Sequence, residues 1–319
     1  MVQESIKHFP IPLRKSPKVI ADHAYGGSRQ RREGNFLGGI LFFFLFVLSF
    51  RLESFGQDWK QLSSEHFFVY FTQDDNFAKD VLYKAEGYYK DIASDLGYPR
   101  YSQFWTWENR AKIYIYPDRD SYLKATGQPN WSEGMADYRY RQIISYAWSK
   151  GFVDALLPHE MAHLIFRDFV GFKGEIPLWL DEGVAQWSEE AKRRQIKAIA
   201  KQLFEKDSLM SLQDMMHLDI RKVTQKDGGV RVSSLRLKAG KGEIILLSAD
   251  KLITTYYIQA VSLVDFLIER YGSYSFTDFC RQLREGKSLE AALKYAYPTY
   301  LGTLQELEER WREYLEKSS

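Results

Sequence analysis

The chain has 319 residues, 45% hydrophobic and 16% aromatic, with a formal net charge of +2. That apolar content can build a large core, and the near-neutral balance gives no reason to expect nucleic acid as a partner. Cys280 is the single cysteine, so an intrachain disulfide is excluded, and its setting reads as a helix with the thiol facing core.

Residues 1–50 carry seven Lys/Arg against three Asp/Glu, so the basic excess sits at the N-terminus. Residues 1–35 are polar and Pro/Gly-containing and read as a disordered basic leader. Phe36 to Phe50 follows as fifteen residues without a charge. The run suits a signal-peptide h-region or, counted from Gly34, a short membrane anchor. Ser54 and Gly56 offer small residues for a cleavage site, while the long basic leader favours an uncleaved anchor. Either way the leader stays cytoplasmic and the remainder lies outside the cytoplasm.

The globular part is expected over residues 57–319. His66 to Phe71 reads as a strand, with His66 as a surface residue at its end. Asp74 to Leu96 has helical periodicity and stops at Gly97. Ala111 to Tyr116 alternates as a strand, and Asp118 to Ala125 is a short helix with Asp118 as N-cap. The aromatic cluster Tyr101, Phe104, Trp105 and Trp107 reads as packing. Trp131 to Ala136 reads as a loop. Tyr138 to Trp148 is expected as one strand or a hairpin with Ile143 and Ile144 inward.

The decisive stretch is Pro158-His159-Glu160-Met161-Ala162-His163. Two histidines at i and i+4 lie on one helix face and can grip one Zn²⁺ through neutral imidazoles. Glu160 points to the same cavity and can take a proton from water. The flanks are apolar, so the helix is buried and its polar side chains need a partner. Eighteen residues separate His163 from Glu182. Gly171, Gly174 and Pro177 end the first helix. Leu180 to Glu190 reads as a second helix that can bring Glu182 alongside as third ligand.

H-E-x-x-H, eighteen residues and Trp179-Leu180-Asp181-Glu182-Gly183 together resemble the gluzincin metallopeptidases, with the spacing of the aminopeptidase N branch. The chain is most similar to small peptidase MA-like domains over residues 59–319. The resemblance implies an α+β zincin-like fold: a small twisted sheet packed on the metal helix, then a mostly helical half. It implies zinc-dependent cleavage of a peptide or protein substrate, with His159, His163 and Glu182 on the metal and Glu160 as base. Gln186, one turn beyond Glu182, is expected to orient a ligand histidine. That branch carries a Gly-x-Met-Glu-Asn box whose Glu captures the substrate amine. Here Gly134-Met135-Ala136-Asp137 puts Ala136 at that position, which points to an endopeptidase. The substrate is expected to lie along the strand in Tyr138–Trp148.

Beyond the site, Ala191 to Phe204 continues helical with a basic, solvated face. Ser211 to His217 is a short helix. Lys222 to Asp250 reads as a β-hairpin or flap, a candidate lid. Thr254 opens a long helix to Tyr271. Tyr257, Ala260 and Leu263-Val264-Asp265-Phe266-Leu267 are similar to the peptidase MA-like run, which implies Tyr257, or its neighbour Tyr256, as oxyanion donor. Ser275 to Lys317 is helical. The other function class is a membrane-tethered scaffold that keeps zinc without turnover, against which the intact Glu160 argues.

Overall fold

The computed structural model describes residues 58–98, 104–130, 132–147, 151–172, 176–223, 229–238 and 241–317. The basic leader, the apolar segment, the cleavage site, Tyr101, Trp131 and Trp148 lie outside them.

Five strands form one sheet in the order β1-β2-β3-β5-β4. They are β1 (Lys60–Ser63), β2 (Phe67–Phe71), β3 (Ala111–Tyr116), β4 (Gly134–Asp137) and β5 (Gln142–Tyr146). The three central strands are parallel, and β1 and β4 run antiparallel at the edges. Helix α1 (Asp75–Asp95) makes the crossover from β2 to β3 that parallel strands require. Asp74 caps it by accepting the Phe77 N–H at 3.0 Å. Helix α2 (Arg119–Thr126) follows β3, with Asp118 accepting the Ser121 N–H at 2.8 Å as the sequence predicts. That hydrogen bond holds the Asp118 carboxyl below its usual range.

Side-chain alternation decides which face is buried. Registered partners Val69, Ile113, Ile143 and Ala136 run across the sheet as a buried row. Ile143 alone of the Ile143-Ile144 pair is fully buried, because consecutive strand residues face opposite sides.

Two expectations change here. Gly134–Asp137 is not loop but the edge strand β4, a stretch too short and too glycine-containing for periodicity to register. Strand β5 is consequently internal, hydrogen-bonded on both sides, so among the described strands the edge is β4 rather than the expected strand in Tyr138–Trp148. His66 is also not a surface residue. It is buried, stacks on Tyr89, and places Nδ1 2.7 Å from Glu86 Oε2.

The second half is largely helical: α3 (Leu157–Val170), α4 (Leu178–Trp187), α5 (Glu190–Glu205), α6 (Leu212–His217), α7 (Ala249–Tyr271), α8 (Ser273–Arg284), α9 (Leu289–Ala296) and α10 (Leu304–Lys317). Between α6 and α7 lies an antiparallel hairpin of β6 (Val230–Lys238) and β7 (Lys241–Leu247). The middle of β6 is pinned by Ser211 N–H to Ser233 O and Leu235 N–H to Leu209 O, each 2.8 Å. Helix α7 is 23 residues long and apolar enough to cross a bilayer, but 78% of its most apolar 18-residue window is buried inside the fold. It is the core helix, starting at Ala249 rather than at Thr254. Cys280 is fully buried, and burial pushes its thiol well above the usual range.

Candidate metal centre

Helix α3 carries the first two donors. It is entered through a π turn, Phe152–Leu156, in which the Leu157 N–H bonds the Phe152 carbonyl. Pro158 explains the widened turn. Its ring has no N–H to give and would clash with the carbonyl four residues back in a regular α-helix. The helix ends at Gly171, whose φ of 81° is the left-handed cap that glycine adopts without strain. Between these points His159, Glu160 and His163 are 5%, 4% and 0% exposed. Helix α4 brings the third donor, Glu182, 2% exposed.

The approach of α4 depends on Gly183. A Cβ there would lie 2.7 Å from the Ala260 carbonyl oxygen and 2.9 Å from Val264 Cγ2. Helix α7 therefore seats directly on the backbone next to the ligand, which only glycine permits.

One donor atom each from His159, His163 and Glu182 lies within 4.8 Å of the others. His159 Nε2 and Glu182 Oε2 are buried without a hydrogen-bond partner. A buried carboxylate oxygen and imidazole nitrogen left so would cost several kcal/mol, roughly 2–7 per group. A divalent cation shared among them removes that cost, and nitrogen and carboxylate donors suit zinc. The opposite ring nitrogens complete the fit. His159 Nδ1 lies 2.9 Å from Glu189 Oε1, and His163 Nδ1 lies 2.9 Å from Asp181 Oδ1. An imidazole nitrogen facing a carboxylate carries the proton, so each ring presents its Nε2 lone pair to the centre.

His159, His163 and Glu182 form a two-histidine, one-carboxylate donor set that could hold one metal ion. Three protein ligands with a buried glutamate beside them match a catalytic zinc centre, which keeps a position open, rather than a closed structural one. No family profile and no curated protein matches the chain. Among solved structures it is similar to a mutant of the M1 zinc metallopeptidase from Deinococcus radiodurans, at 16% identity and a TM-score of 0.38, covering 82% of this chain and 51% of that one. The same mutant bound to a Tyr-Ser-Ala substrate gives 14% identity and a TM-score of 0.38, with 82% and 52% covered. The chain thus spans about half the length of those proteins. So distant a likeness adds nothing to the chemistry, which stands on the donor set.

Gln186 does not take the orienting role expected of it. It is buried, but its Nε2 has no hydrogen-bond partner, and Glu189 and Asp181 hold the two rings. A carboxylate matches an imidazole N–H with full charge assistance, where an amide offers less. Adjacency to Glu182 does not tell which way Asp181 points. Glu189 lies beyond a break at Ser188, where helical periodicity alone runs straight on.

Tyr256 and Tyr257 are both buried on α7. Burial first, and then the Glu182 charge, raises the Tyr256 phenol above its usual range, so this hydroxyl lies within the field of the ligand carboxylate. Past the open edge of β4, the Tyr138 ring meets the His163 ring edge to face at 6.5 Å and carries the Arg167 guanidinium 4.5 Å from its centroid. Ala136 shares the buried face with Ile143. Asp137 lies on the other face, accepting the Arg139 N–H at 3.0 Å.

Proposed function

We propose that the protein is a zinc-dependent endopeptidase acting outside the cytoplasm and tethered to a membrane by its N-terminal apolar segment. The observation that carries the reading is the pair of unsatisfied donors, His159 Nε2 and Glu182 Oε2, within one ion's reach of His163 and beside Glu160.

His159, His163 and Glu182 would hold the metal. Bound Zn²⁺ supplies Lewis acidity, lowering the pKa of a water and polarising the scissile carbonyl. Glu160 takes the proton of the attacking water and delivers it to the leaving amine. The Tyr256–Tyr257 pair supplies the oxyanion donor: the sequence likeness favours Tyr257, and the effect of the Glu182 charge on its phenol favours Tyr256. Replacing the donor by Phe lowers kcat by about 10²–10³, and replacing the other tyrosine does not. An extended substrate adds to the free edge of β4 by main-chain hydrogen bonds. Export is supported by the uncharged Phe36–Phe50 run behind a basic leader.

The test is digestion of a peptide library by the purified full chain, with and without chelator, beside Glu160→Gln. Chelator-sensitive cleavage that Glu160→Gln loses by about 10²-fold or more, with zinc still bound, is expected. Zinc bound without any cleavage in the parent protein would favour the scaffold instead. A reporter fused after Ser319 should work only if it is one that functions outside the cytoplasm.

A further inference from the structure

Glu189, which orients His159, is itself held from a second direction. The Lys192 Nζ donates to the same Oε1 at 2.7 Å that receives the His159 Nδ1–H at 2.9 Å. The Lys192 side chain is only 10% exposed and that of Glu189 only 6%. Burying an ammonium costs solvation that an exposed i,i+3 pair would not incur, so its place here asks for a purpose. Glu189 also stands at the N-cap position of the 16-residue helix α5 in extended conformation, without capping through its side chain.

Two donors therefore converge on one carboxylate oxygen: the imidazole N–H and the ammonium. The carboxylate is held from the first turn of α5, so the plane of the His159 ring is registered to that helix and not to a freely rotating side chain.

We infer that Lys192 is a positioning residue for the candidate metal ligand His159, acting through Glu189 to fix the orientation of its ring. The inference rests on the zinc reading above and adds to it a cation that the motif does not contain.

The test compares full-length wild type, Lys192→Met and Lys192→Arg. Zinc affinity is read by competition with a chromophoric chelator, and ligand geometry by the visible spectrum of the Co²⁺-substituted protein. Lys192→Met should bind zinc about 10–100-fold more weakly and shift the Co²⁺ bands. Lys192→Arg, which keeps the charge and a donor, should restore most of both. A helix-packing role alone would leave affinity and spectrum unchanged, and wild-type values in Lys192→Met overturn the inference. If Lys192→Met does not fold, Lys192→Gln keeps a neutral donor without the charge, and wild-type affinity in it overturns the inference equally. Wild-type protein that binds no zinc at all overturns the zinc reading and this inference with it. Normal zinc in Lys192→Met removes only the latter.

Discussion

His163 Nδ1 lies 2.9 Å from the carboxylate of Asp181, the residue that immediately precedes the third donor, Glu182. One dipeptide on α4 therefore supplies a candidate ligand and also clamps the ring of another candidate on α3. The two helices are registered to each other through this pair, so the metal site reads out their packing. Asp181→Ala should weaken zinc binding by about 10–100-fold, and Asp181→Asn, which keeps an acceptor, by less. Chelator competition measures both. Equal affinities in wild type and Asp181→Ala would mean that the ring needs no such partner.

Gly183→Ala probes the same packing from behind. The new methyl group would stand 2.7 Å from the Ala260 carbonyl, and backbone cannot swing aside as a side-chain tip can. Helix α4 must then lift from α7, carrying Glu182 with it. A loss of about 1–3 kcal/mol in urea unfolding is expected, together with weaker zinc binding. Unchanged stability would show that α4 and α7 have slack the structure does not suggest.

The parts of this arrangement that follow local rules could be read in the sequence. His159, His163 and Glu182 announce themselves by spacing, because an i,i+4 pair must share a helix face. The cap at Asp118 and the stop at Gly97 are equally local. What escaped was set by tertiary contact. Strand β4 is defined by its pairing with β5, not by the pattern of Gly134–Asp137. His66 is buried because Tyr89 and Glu86 on α1 come to it, which a strand-end histidine cannot signal. Glu189 and Lys192 matter only because α4 breaks at Ser188 and turns α5 back beside His159.

Asp265 gives the fold a pH signature of its own. It accepts Trp187 Nε1–H at 2.9 Å and Tyr314 O–H at 3.0 Å, joining α4, α7 and α10. Burial raises its carboxyl above the usual range, against the lowering effect of both donors. The folded chain thus keeps this proton to higher pH than the unfolded chain does. Between the unfolded value, about 3.9, and the raised folded value, the native state binds more protons, so stability falls as pH rises. Asp265→Asn removes that slope. Its stability relative to wild type should climb across this window and then level off, in urea titrations at stepped pH between about 4 and 7. A difference that stays flat would mean that Asp265 titrates normally.

The last prediction concerns where substrates begin. Capturing a free amine needs a carboxylate beside the edge strand, facing the metal helix. At that place β4 presents Ala136, part of the buried row with Ile143. Asp137 lies on the opposite face, engaged with the Arg139 N–H. Turning it inward would slip the register by one residue and expose the apolar face of β4. Nothing on the strand thus pairs an ammonium, and the free edge of β4 can accept a chain running through in both directions. N-acetylated peptides should be cut within about threefold of their free counterparts, since no ion pair is lost; a buried charge pair would be worth tens to thousands of times that. Mass spectrometry of timed digests should show internal cleavage first. Acetylation that blocks cleavage, with products shortening one residue at a time, would mean that an acid elsewhere, Glu133 first among them, supplies the anchor.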